Sequence, residues 1–256
     1  MLNTAKILAI ILFYIGLTGC KTNSVNDIDG NQYNVVKIGT QVWMKENLKT
    51  TRYSNGDLIG TTSPATLVIE VESTPKYQWA YAGNESNVAT HGRLYTWYVA
   101  TDSRNVCPAG WHVPSDADWT ALTDYLIKKG YGYGGGYKGM DISKSLASTS
   151  GWVADETPGY TGNNQMSNNS TGFTALPSGA RLANGEFINL GHIGNWWSTA
   201  GHIISYGNLW SESDFVNIQG GVFRNIYHNY CYVNCYTNNA QYAMSIRCLK
   251  DNFQDK

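Results

Sequence analysis

Cys107-Pro-Ala-Gly-Trp-His-Val-Pro-Ser115 runs straight into Asp116-Ala-Asp-Trp-Thr-Ala-Leu-Thr-Asp-Tyr-Leu-Ile-Lys-Lys129-Gly130, and this junction decides the fold. The first half is a cysteine-anchored turn, the second a marked helix. Ser115 caps the helix, and Asp118 three residues on completes a capping-box pair. Asp116 and Asp118 suit the positive helix start, and Lys128 and Lys129 suit its negative end. Gly130 is a C′ stop. Trp119, Leu122, Leu126 and Ile127 fall on one face at helical spacing, so the helix lies on a core. Pro114 disfavours helix in the residue before it, which makes His112-Val113 a short strand-like lead-in.

Toward the N-terminus, residues 1–19 read as a signal segment. Lys6 and the terminal amine supply positive charge, and the apolar run Ile7–Leu17 is shorter than the roughly 20 residues a spanning helix needs. Leu17-Thr18-Gly19-Cys20 resembles the bacterial lipobox, so Cys20 is the expected lipidation site. Several acyl chains on one residue anchor a protein stably. The expected organisation is a tether over 20–26, a single domain over 27–251 and a tail over 252–256. The address is the bacterial outer membrane, facing the surface or the periplasm.

Composition narrows the partners. Net charge is −1 and charged residues make up 14% of the chain, which excludes a clustered phosphate-binding surface and hence nucleic acid. Glycines (27), tryptophans (9) and tyrosines (18) are abundant, as in a loop-rich extracellular fold with large rigid side chains. Besides Cys20 there are four cysteines, Cys107, Cys231, Cys235 and Cys248, an even number in an exported chain, so disulfides are expected. Three pairings are possible. Cys107 with Cys248 is favoured, because it would join the organising segment to the last strand. Cys231 and Cys235 would then pair locally or stay free. No CxxC spacing supports a zinc site.

The rest of the chain reads as strands and loops. Asp29-Gly30 and Ile38-Gly39-Thr40 are turns within a hairpin system over Val25–Leu48. Asp27-Ile-Asp29-Gly30-Asn31 resembles half a calcium loop without its closing glutamate, so calcium is possible but unsupported, and no cofactor is expected. Tyr53–Asp57 is a turn. Leu67-Val-Ile-Glu-Val71 is a β-branched run, either an inserted strand or an excursion. His91–Ala100 reads as a short helix through Leu94, Trp97 and Tyr98. Gly130, Gly132 and Gly135 match GxGxxG formally but follow a helix, which is the wrong context for a dinucleotide. Lys144–Trp152 reads as a buried turn and short helix, and Thr157–Ser170 as a long surface loop. From Gly172 on, short runs separated by Gly/Asn turns indicate an antiparallel sheet, with Tyr227–Tyr236 as one run. The class is α+β.

Six stretches carry a family resemblance: Trp43-Met-Lys-Glu-Asn-Leu48, Leu94-Tyr-Thr-Trp-Tyr98, Cys107–Pro114, Gly172-Phe-Thr-Ala-Leu-Pro177, Trp196-Trp-Ser198 and Ser245-Ile-Arg-Cys-Leu-Lys-Asp251. With them the chain resembles the Fibrobacter succinogenes major paralogous domain family of bacterial lipoproteins, from about Asp27 to Asp251. The resemblance implies the C-type-lectin-like and formylglycine-generating-enzyme-like superfold: a twisted antiparallel sheet with two helices and long loops, in which an early cysteine meets one in the last strand. It implies no activity. The sugar/calcium triplets Glu-Pro-Asn and Trp-Asn-Asp are absent, as is a suitable context for paired active-site cysteines.

Trp43, Trp97, Trp111, Trp119 and Trp196 lie inside motifs and are expected in the core. Tyr131, Tyr133, Tyr137, Trp210, Tyr230, Tyr232 and Tyr236 lie in Gly/Asn-rich stretches and are the candidate ligand contacts, since sugar rings stack on exposed aromatic faces. The five histidines show no metal spacing, and no nucleophile–base–acid set stands out, so no catalytic residue is assigned. Buried Arg181 and Arg247 are expected to be paired. The expected function is a lipid-anchored surface module binding an extracellular glycan or protein. The alternatives are an adhesin-type assembly subunit and, less favoured, an enzyme of the formylglycine-generating type.

Overall fold

The computed structural model describes residues 23–134, 139–206 and 216–251. The signal segment, Cys20, Gly135 and the tail from 252 lie outside them. The Asp29-Gly30 turn folds β1 (Ser24–Asn26) onto β2 (Gln32–Ile38), with Gly30 at a positive φ of 83°. The turn at Gly39 then returns the chain as β3 (Gln41–Met44), in register Ile38 to Gln41. Both hairpins follow from the turn residues.

Beyond them come β4 (Gln78–Trp79), α1 (Val88–His91), β5 (Leu94–Thr96), α2 (Trp97–Ala100) and β6 (Trp111–His112). The longest of the described helices, α3 (Asp116–Lys128), is followed by α4 (Ser143–Leu146). The strand-rich third comprises β7 (Ser178–Arg181), β8 (Phe187–Leu190), β9 (Ile193–Tyr206), β10 (Val216–Tyr227), β11 (Asn234–Asn239), β12 (Ala243–Met244) and β13 (Leu249–Lys250). Three antiparallel sheets result, in the orders β1-β2-β3-β13-β6, β4-β5-β12-β7-β8 and β11-β10-β9. The class is α+β, dominated by antiparallel sheet.

Helix α3 ends as its sequence dictates. Ser115 Oγ accepts from Asp118 N, and the Asp118 carboxylate accepts from Ser115 N at 2.8 Å. At the other end Gly130 N donates to Ile127 O and Tyr131 N to Leu126 O, a Schellman motif with Gly130 at φ 76°. Trp119, Leu122 and Leu126 are buried, each contributing roughly 2 kcal/mol of transfer free energy. They join Trp43, Phe173 and Trp196 in one core; Trp43 and Trp119 are 4.8 Å apart between ring centroids. A second core surrounds Tyr95, Trp111, Trp197 and the Cys107–Cys248 disulfide, which ties the turn before β6 to the residue before β13.

Between the cores sits a buried polar knot around Asn47. Its amide nitrogen donates to His91 O, Ser178 Oγ and Ser245 Oγ, and its Oδ1 accepts from Trp196 Nε1 and Arg247 Nη2 at 2.8 and 2.7 Å. Arg247 also donates to the carbonyls of Phe173 and Thr174, with its guanidinium 4.4 Å from the Phe173 ring centroid. Four of the six motifs therefore meet at one knot, and Cys248 links a fifth to it. Arg181 is likewise buried, donating to Ala65, Leu67 and Leu182 carbonyls over the Trp79 ring. Burial depresses Arg247 to about 9 and Arg181 to about 10, both still cationic at neutral pH. The expected pairing is thus met by carbonyl oxygens and ring faces, not by carboxylates.

Two expectations need correction, and two that were left open are resolved. His91–Ala100 is not one helix: His91 ends α1, Leu94, Tyr95 and Thr96 form a strand buried on both faces, and Trp97–Ala100 is a separate helical turn. Tyr227–Tyr236 is not one run: it takes in the end of β10, the turn over 228–233 and the start of β11. Leu67–Val71 is no strand; buried Ile69 plugs a small core with Trp79 and Leu94, held by Ile69 N to Ala183 O. Cys231 and Cys235 are free thiols, so the chain's second cysteine pair forms no disulfide. The five tryptophans expected inside are buried except Trp97, which is half-buried. Its ring lies across Gly201 and Gly221, where an added Cβ would come within 2.6 and 2.4 Å of ring atoms, so the sheet must be bare there.

Candidate functional site

Alternation along two neighbouring strands builds the site. Phe223, Asn225 and Tyr227 share one face of β10, and Asn234, Tyr236 and Asn238 share the matching face of β11. The register sets Asn225 opposite Asn234 and Phe223 opposite Tyr236. On the other flank β9 sets Asn195 opposite Asn225 and Trp197 opposite Phe223. A row of three asparagines thus crosses the sheet beside a row of three aromatics. Asn234 Nδ2 donates to Asn225 Oδ1 at 3.1 Å, and the Phe223 centroid lies 5.8 Å from that of Trp197 and 6.1 Å from that of Tyr236. The β9 and β10 members are buried, while Tyr236 is 51% exposed.

Two hollows open here. One of about 260 Å³ is bounded by Tyr227, Asn229, Tyr230, Asn234 and Tyr236. The other, of about 130 Å³, lies against β7 and β8 and includes Asn195, Phe223, Asn225 and Asn238 in its walls. Tyr227 borders both. Neither is lined by an Asp, Glu, Lys, Arg or His.

The turn between β10 and β11 is held firmly. Tyr230 O accepts from Thr161 N and Ser143 Oγ, Cys231 O from Ser143 N, and His228 O from Gly162 N. Tyr230 packs edge-on against Tyr232 at 5.1 Å and tilted against Tyr160 at 6.3 Å. His192 and His228 meet edge to face at 4.9 Å; burial, then the neighbouring imidazole, lowers the pKa of His228 and keeps it neutral. The tyrosines are therefore presented on a preorganised support.

The predicted contacts separate into groups. Tyr230 and Tyr236 border the larger hollow, and Tyr232 stands beside Tyr230. Tyr133, 45% exposed, rests over Gly159, with the buried Lys144 ammonium 5.8 Å from its ring. That ammonium donates to the carbonyls of Tyr160 and Asn163, and burial lowers its pKa. Tyr131 is the residue after the Schellman glycine and packs on the α3 core. Tyr137 and Trp210 lie outside the described residues. Tyr227, Asn225, Asn229 and Asn234 were missed by the sequence reading. The signal for Asn225, Tyr227 and Asn234 was the period-two alternation of aromatic and asparagine in 223–227 and 234–238; Asn229 sits in the turn between them.

Burial raises the pKa of both the Cys231 and Cys235 thiols, the opposite of an activated cysteine. Asp27 accepts from Asn31 and Tyr33, and Asp29 from Thr50 and Thr51, with Arg52 alongside, so both carboxylates of the calcium-like turn serve the fold. Among the described residues no three His, Cys, Asp or Glu side chains converge on a metal-sized site. Likewise none of the described helices is long and apolar enough to cross a membrane.

With this geometry in hand, the chain can be placed. The model of the Fibrobacter succinogenes major domain matches residues 36–250. The chain belongs to the Fibrobacter succinogenes major domain family. All six motifs of the resemblance begin within the matched span, and the Asn47 knot and the disulfide are the contacts that bring five of them together. In this chain the residues of those five motifs thus serve the scaffold. The tyrosine–asparagine face lies outside those motifs, apart from Trp197. Comparison with curated proteins and with solved structures gave no match.

Proposed function

We propose that this protein is an outer-membrane lipoprotein, anchored through Cys20, whose domain binds an extracellular glycan through the tyrosine–asparagine face of β10 and β11. The observation that carries the reading is the pairing of open tyrosine rings with amides on a braced turn: Tyr230 and Tyr236 are 39% and 51% exposed beside Asn229 and Asn234. Large tyrosines held open at a groove, with hydrogen-bonding amides between them, are typical of recognition surfaces. The lipobox-like Leu17–Cys20 supports the anchor. A C-type-lectin-like arrangement is supported by α3 following the Trp111 turn, by β13 pairing with both β3 and β6, and by the Cys107–Cys248 bond.

A second reading, an adhesin-type assembly subunit, is favoured by one other surface. Leu67, Val68 and Val71 are exposed together, Val71 at 96%, beside a groove that includes Glu70 and Glu72. A glycan array separates the two. The labelled protein is expected to mark glycan spots, and Tyr230→Ala with Tyr236→Ala to abolish the signal. Silence across the array, with capture of a protein partner lost on Val71→Asp, would favour the assembly subunit.

A further inference from the structure

We infer that the ligand of this face is an uncharged polysaccharide, bound without a metal ion, its pyranose rings lying on the rim tyrosines and its hydroxyls read by the accessible amides of Asn229, Asn234 and Asn238. The inference rests on the reading of the face as a glycan site and adds the chemical class. Charge decides it. Walls without a carboxylate, ammonium, guanidinium or imidazole offer no counter-charge to an ionised sugar, and a desolvated, unpaired charge is costly. The same walls offer no hard anionic ligand for calcium.

The polar groups that are present match hydroxyls. An amide carries an acceptor and two donors, and a sugar hydroxyl is both donor and acceptor. Asn225 and Asn195 already spend one group each, Oδ1 on Asn234 and Nδ2 on Gly179 O. Asn238 Oδ1 accepts from Asn239 N, and its NH₂ makes no hydrogen bond among the described residues. Asn229, exposed at the rim, makes no side-chain hydrogen bond among the described residues. Flat rings alternate with these amides along the face, as a pyranose alternates apolar ring faces with a hydroxyl edge. Size adds to this. Hollows of about 260 and 130 Å³ fall below the roughly 300–1,000 Å³ of sites that enclose a small molecule. A ligand here lies across the face and extends past it, which suits a polymer.

The test is affinity electrophoresis of the full-length chain in a detergent without a sugar headgroup. Gels carry a neutral polymer (a mannan, a galactan, a xylan or a mixed-linkage glucan) or a polyanionic one (alginate or polygalacturonate), each with and without EDTA. The expected result is retardation by a neutral polymer, unchanged by EDTA. Tyr236→Ala and Asn234→Ala should each weaken it roughly tenfold or more, the size of one hot-spot side chain, while Tyr236→Phe retains it. Circular dichroism confirms that each variant is folded. Retardation by polyanions alone, lost in Tyr236→Ala, would overturn the neutral class and leave the face standing, and so would retardation abolished by EDTA for the metal-free claim. No retardation by any polymer, or retardation indifferent to Tyr236→Ala and Asn234→Ala, would overturn the glycan reading itself.

Discussion

Asn47→Ala is expected to lower unfolding stability by about 3–5 kcal/mol, seen as a large drop in the urea midpoint at unchanged m-value. The side chain is buried and makes five hydrogen bonds. Its loss leaves Trp196 Nε1 without an acceptor and removes the only side-chain oxygen, among the described residues, within hydrogen-bonding distance of the buried Arg247 guanidinium. Each stranded buried group costs roughly 1–3 kcal/mol, and a charged one more. Asn47→Asp probes the sign of the interaction. A carboxylate facing Arg247 keeps the acceptor but gives up the donations to Ser178, Ser245 and His91, so it should destabilise less than alanine. A midpoint shift for Asn47→Ala no larger than that of an exposed asparagine such as Asn55 would show that the knot contributes little.

Removal of the Cys107–Cys248 bond is expected to have the next largest effect. The cysteines are 141 residues apart, so opening the bond frees a long loop in the unfolded chain, worth about 5 kcal/mol in the chain-entropy model. Both sulfurs are fully buried in the core that includes Trp111 and Trp197, which slows attack by a reductant. Cys107→Ala/Cys248→Ala should therefore melt well below the parent, while Cys231→Ala and Cys235→Ala should melt near it. Differential scanning calorimetry with and without reductant after unfolding checks both. Equal melting of the parent and the double variant would contradict the assignment.

Much of the scaffold was legible locally. Ser115, Asp118 and Gly130 named both ends of α3 because capping depends on residues within one turn. The glycine turns of the first hairpins are equally local. The knot was not legible, although Asn47, Trp196, Ser245 and Arg247 lay in quoted motifs. Asn47 lies 131, 149 and 200 residues from Ser178, Trp196 and Arg247, and nothing in the sequence says which buried polar groups will meet. Leu94–Thr96 was misread because a strand buried on both faces has no alternation to distinguish it from helix. The site was half legible. Exposed tyrosines were found by composition, but the asparagine row depends on the register of three strands. Tyr131 drew the same attention as Tyr230, though its place after Gly130 made it a helix cap.

The central claim is a division of labour: motif residues hold the domain together, and the β10–β11 face outside them does the recognising. The most direct measurement is a ¹⁵N NMR titration of the asparagine side-chain amides against a neutral polysaccharide. The account predicts that Asn229, Asn234 and Asn238 shift with added polymer while Asn47 and Asn168, buried in the scaffold, stay fixed. Shifts confined to the 64–73 segment, or spread over Asn47 while Asn229 and Asn234 remain still, would contradict it.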